Sequence, residues 1–176
     1  VYSKSKEEAL GIEAASHRGE MPDAATKPVK KPKYTQKEAL ARNAAMEFGL
    51  DPKLLSAQIQ AESGWNPTAR SPVGARGMLQ MMPETLVEVL GQMKSKGLIG
   101  SNITAADYDK DANLQFRAGA FYMDRMRRNT KSYPEALAAF NAGLGGLDDM
   151  KKSGRTYNET GEYVAKILEV DRATAD

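Results

Sequence analysis

The chain has 176 residues, of which 41% are apolar and 27% charged, with no cysteine and a formal net charge of +2. This composition excludes disulfides, thiol nucleophiles and thiolate metal sites, and no apolar run approaches the roughly 18 residues of a membrane-spanning helix. Residues 1–35 hold seven Lys/Arg and five Asp/Glu, while the other 141 residues hold eighteen of each, so the bulk of the chain is not a nucleic-acid binder by charge.

Residues 1–34 read as a leader, with a short weakly amphipathic helix around Lys4 to Ser16 and a linker ending in "KPVKKPK". That Pro-stiffened basic stretch is expected to be a solvated spacer. The chain begins with Val1 and carries no signal peptide, so a piece of a longer parent protein is expected. A folded domain is expected over 35–176. Thr35 with Glu38 has the capping-box pattern, and the helix it opens runs to Gly49. Asp51 as N-cap, Pro52 at the first helical position and Gly64 at the exit bound the next helix. Pro83 opens a third, with Leu86, Val89, Leu90 and Met93 at helical spacing. A long helix is predicted from about Asp109 to Arg128. Ser132 and Glu135 repeat the capping box before a helix ending at Gly143, and a last helix covers about Glu159 to Val170. No alternating β-branched run appears, so the fold class is all-α.

One side chain on these helices stands out. Leu55, Ile59 and Glu62 share a helix face at i, i+4, i+7, and the face is apolar until it ends in a carboxyl. Burial there raises a carboxyl pKa, and the negative end of the helix dipole acts in the same sense. A carboxyl held neutral near pH 7 is a general acid. The residues that follow, with Asn66-Pro67, Ser71-Pro72, Gly74 and Gly77, are rich in turn formers that give a loop a defined shape.

Four stretches in order then carry a resemblance. They are Glu62-Ser63, "GMLQMMPET" (Gly77 to Thr85), "AAFNAG" (Ala138 to Gly143) and "ETGEYV" (Glu159 to Val164). Over about residues 38–170 the chain resembles the catalytic domain of the soluble lytic transglycosylases, lysozyme-like enzymes that cleave bacterial peptidoglycan. Met78 and Leu79 stand exchanged relative to the family pattern, and Phe140 takes the place of a Tyr, losing a hydroxyl. The resemblance implies a lysozyme-like helical domain with a substrate cleft. It implies Glu62 as single acid/base, cleaving between N-acetylmuramic acid and N-acetylglucosamine with a 1,6-anhydromuramoyl product. It further implies Ser71, Gln80, Met82, Tyr122, Asn141 and Tyr163 as substrate-binding residues, with peptidoglycan as partner and no cofactor or metal.

Other readings stand beside these. A hydrolytic muramidase calls for a second carboxylate, for which Glu84, Asp107 and Glu159 are the candidates, although Glu84 is first expected to serve the helix dipole. A silent wall-binding module of a larger assembly is the reading from another class. Tyr122 and Tyr163 are also candidate packing residues, Asn141 a helix cap, and Met78, Met81 and Met82 core filler. His17, the single histidine, is expected to be solvated. The parent would be a bacterial envelope protein, or a phage virion protein that opens the wall, acting in the periplasm or cell wall.

Overall fold

The structure, a computed structural model, describes residues 33–173. The readings of residues 1–32, His17 among them, lie outside the described part. Seven helices follow one another: α1 (Gln36–Glu47), α2 (Pro52–Ser63), α3 (Pro83–Ser95), α4 (Ala105–Lys110), α5 (Ala112–Arg128), α6 (Tyr133–Ser153) and α7 (Asn158–Ala173).

Local chemistry sets most of the boundaries. The Thr35 hydroxyl accepts from the Glu38 amide at 3.3 Å while the Thr35 amide donates to Glu38 Oε2 at 2.6 Å. Asp51 caps α2, and Gly64 ends it in the left-handed conformation at φ 58. The predicted long helix from Asp109 divides in two. Asp111 leaves helical geometry and caps α5 from the Asn113 and Leu114 amides, while a second capping box, Thr104 with Asp107, makes the unpredicted α4. The helix expected to stop at Gly143 does break there, at φ 76 and ψ 164, but the chain turns back into helix and runs on to Ser153.

Helix α5 is the axis of the domain. Leu114, Phe116, Ala118, Ala120, Phe121, Tyr122, Met123 and Met126 are all buried along it, as expected of a helix covered on most sides. It packs against α1, α3, α4 and α6, while α2 is sandwiched between α1 and α7. Met46, on the helix predicted from apolar spacing, faces outward; the inner side of α1 is Ala41, Ala44 and Ala45.

Candidate functional site

The site is assembled around the loop from Gly64 to Met82. Its anchor is Gln115, a fully buried amide on α5. Gln115 accepts from the Met78 amide at 2.8 Å and donates to the carbonyls of Pro67 and Tyr108, each at 3.1 Å. Ser63 at the end of α2 donates to the Met78 carbonyl at 2.9 Å, and the Tyr108 hydroxyl donates to the Arg76 carbonyl at 3.2 Å. Two glycines are obligatory. Gly77 has φ 79, and a Cβ there would lie 2.7 Å from Gln115 Oε1; at Gly119 a Cβ would run into Leu79, 2.9 Å from that residue's own Cβ. Leu79 thus seats in a notch on α5.

The loop forms one wall of a cleft of about 860 Å³. Six of the seven residues singled out from the sequence line it: Glu62, Ser71, Gln80, Met82, Tyr122 and Asn141. The seventh, Tyr163, stands behind Glu62, close enough for its hydroxyl to act on the carboxyl. Glu62 is half-buried, and its pKa is raised from 4.5 to about 7 by desolvation, against the opposing pull of the Tyr163 hydroxyl and the Lys166 ammonium. Burial likewise pushes the Tyr163 phenol well above its ordinary range, which leaves it a donor.

The other lining residues are held from behind. Ser71 Oγ accepts from the Ala75 amide at 3.0 Å, closing the turn beneath it. Gln80 adopts φ 47, and its Nε2 donates to the Gly77 and Ala69 carbonyls. Of the three methionines considered as core, Met78 and Met81 are buried and Met82 is 42% exposed in the cleft. Tyr122 and Phe140 pack ring on ring at 4.9 Å, with the Arg125 guanidinium 4.9 Å from the Tyr122 ring centre. Asn141 is not merely a cap. It lines the cleft just before the break at Gly143, and its Oδ1 accepts from the Thr160 hydroxyl at 2.8 Å.

Two of the three candidate second carboxylates, Glu84 in the first turn of α3 and Glu159, also line the cleft. Asp107 does not. It is occupied in the α4 capping box, where bonds from the Thr104 hydroxyl and amide lower its pKa. Gln58 and Gln115 were missed by sequence reasoning; the one signal was an amide inside each apolar helical pattern. Among the described residues no three Asp, Glu or His converge as a metal site would require.

An all-helical domain with one half-buried glutamate at the head of a polar cleft has the arrangement of the lysozyme-like class. The chain belongs to the transglycosylase SLT domain family, whose sequence model matches residues 39–162. Over 110 residues it is 36% identical to the membrane-bound lytic murein transglycosylase F of Shewanella frigidimarina, a match covering 58% of this chain and 20% of that protein. It is 31% identical over 114 residues to the membrane-bound lytic murein transglycosylase C of Haemophilus influenzae, covering 61% and 31%. The chain thus spans about a fifth to a third of the length of these relatives. The fold is that of the 70 kDa soluble lytic transglycosylase of Escherichia coli, with a TM-score of 0.66, 23% identity, and coverage of 76% of this chain and 23% of that one. It is also similar to the lytic transglycosylase Slt of Pseudomonas aeruginosa, solved as an inactive mutant, with a TM-score of 0.62 at 25% identity over 76% of this chain and 23% of that one.

Proposed function

We propose that this chain is a peptidoglycan lytic transglycosylase that cleaves the β-1,4 bond between N-acetylmuramic acid and N-acetylglucosamine, with Glu62 as its single acid/base. The observation that carries the reading is the placement of Glu62 at the cleft with a pKa of about 7, so that near neutral pH it has a proton to give and can take one back. Glu62 protonates the glycosidic oxygen as its bond to the muramoyl anomeric carbon breaks. The 6-hydroxyl of the same sugar then bonds to that carbon and returns its proton to the Glu62 carboxylate. No water is consumed, and the product is a 1,6-anhydromuramoyl end.

Ser71, Gln80 and Asn141 offer hydrogen bonds to sugar hydroxyls and acetamido groups, while Met82 and Tyr122 offer apolar faces. Tyr163 acts behind the acid, steadying its charged form. The site of action is the cell wall, in the periplasm. The shares of the relatives that the chain spans fit a catalytic piece of a larger envelope protein.

The test is mass spectrometry of purified peptidoglycan digested by the wild type and by Glu62→Gln. Anhydromuramoyl ends from the wild type alone are expected; cleavage by the variant overturns the single-acid assignment. A hydrolytic muramidase is the second reading, favoured by the two further carboxylates on the cleft wall, Glu84 and Glu159. It predicts reducing muramic ends that disappear in Glu84→Gln or Glu159→Gln.

A further inference from the structure

Behind Glu62 lies a polar side chain that the reaction above does not use. Gln58 sits one helical turn before Glu62 on α2 and is completely buried. Its Nε2 donates to the Tyr163 hydroxyl oxygen at 3.0 Å. Its Oε1 has no partner among the described residues, and Gln58 with Tyr133 and Met123 helps line a separate pocket of about 450 Å³. A buried amide with one end unsatisfied is costly, and Leu or Met would fill the same space on an otherwise apolar face at lower cost. The hydrogen bond to Tyr163 is what this amide gains.

That bond fixes a direction. A phenol carries one hydrogen and accepts through its oxygen. Gln58 donates to the Tyr163 oxygen and therefore cannot take its hydrogen, which stays free for Glu62, the neighbouring carboxyl that feels the phenol. A hydroxyl that accepts one hydrogen bond also donates a stronger one. We propose that Gln58 is a positioning residue for Glu62, acting through Tyr163: its amide holds the phenol as a donor to the carboxylate. The proposal deepens the reading of Glu62 as acid/base and rests on it.

The other ionisable groups around Glu62 are few. Lys166, also on α7, lies near the carboxyl and donates to the Ala61 carbonyl at 3.0 Å. Tyr108 on α4 feels the Glu62 charge. Glu84 on α3 and Glu159 on α7 share the cleft. None of them is hydrogen-bonded to the Gln58 side chain, so removing the amide leaves their contacts in place.

The test is a ¹³C NMR titration of the glutamate carboxyls in wild type, Gln58→Met and Gln58→Leu, with the Glu62 signal identified by its loss in Glu62→Gln. Two apolar variants are used so that one misfolded protein does not end the experiment. Weakening the Tyr163 donor removes a stabiliser of the carboxylate, so the Glu62 midpoint is expected to rise by at least about half a pH unit. The high-pH limb of the cleavage rate should rise with it, and kcat should fall several-fold with KM unchanged. In a Tyr163→Phe background the same exchange should leave the midpoint where Tyr163→Phe alone puts it. An unchanged midpoint in a folded Gln58 variant overturns the proposal, as does an equal rise without the phenol. If the wild type cleaves no peptidoglycan, the reaction proposed above fails, while the titration still decides the role of Gln58.

Discussion

Glu62 carries a thermodynamic cost that reports on its environment. Below about pH 4.5 the carboxyl is protonated in the folded and unfolded chain alike, and the site costs nothing. Between 4.5 and about 7 the unfolded chain releases its proton first, so stability falls as pH rises; above 7 the cost is complete. Glu62→Gln removes it. The variant should match the wild type at pH 4 and exceed it at pH 8 by up to about 3 kcal/mol, as a carboxyl raised from 4.5 to about 7 implies. Urea denaturation across that range checks this, and equal curves at every pH would mean that Glu62 is solvated. Glu62 was legible in the sequence because it ends an apolar helix face before a loop of turn formers. Its size of shift was not, because the phenol that opposes it lies about a hundred residues further on. Gln58 and Gln115 were illegible for the same reason: a polar residue on an apolar face marks burial, but only the fold says which distant atoms satisfy it.

Helix boundaries followed the chemistry of caps, and so could be read where capping residues were recognised. Thr35, Asp51 and Ser132 were. Asp111 was not, because the apolar spacing runs on past it and suggested one helix where there are two. The helical resumption after Gly143 went unseen because glycine there reads as a terminus, although the chain only kinks at it and turns back into helix. The loop from Gly64 to Met82 is held by an element rather than by itself. Gln115→Leu would strand the Met78 amide and two carbonyls in the interior, and each unsatisfied group costs about 1–3 kcal/mol. The variant should lose about 3 kcal/mol or more of stability in urea, together with most of its activity. A loss below about 1 kcal/mol would mean that the loop keeps its shape unaided.

The cleft has no single owner among the elements. Glu62 comes from α2, one wall from the loop and α3, and the far side from α5, α6 and the start of α7. Helix α7 packs on both α2 and α6, and its Ile167 is fully buried in the common core. A site gathered from so many segments exists only when the whole helical domain is folded. Heat inactivation and helix melting followed by circular dichroism at 222 nm should therefore superimpose as one transition. Activity lost well below the helix melt would show a loop that opens by itself.

The notch at Gly119 limits how this domain can be recombined. Leu79 fills the space that any side chain on that residue would occupy, and Gln115, one turn earlier on α5, spells out the hydrogen bonds the loop must offer in return. Transplanting residues 64–82 from a relative therefore means transplanting a lock without its key. The loop and this short stretch of α5 form one heritable unit, separated in sequence by more than thirty residues, and a graft that moves one half without the other places a new side chain where there is no room for it.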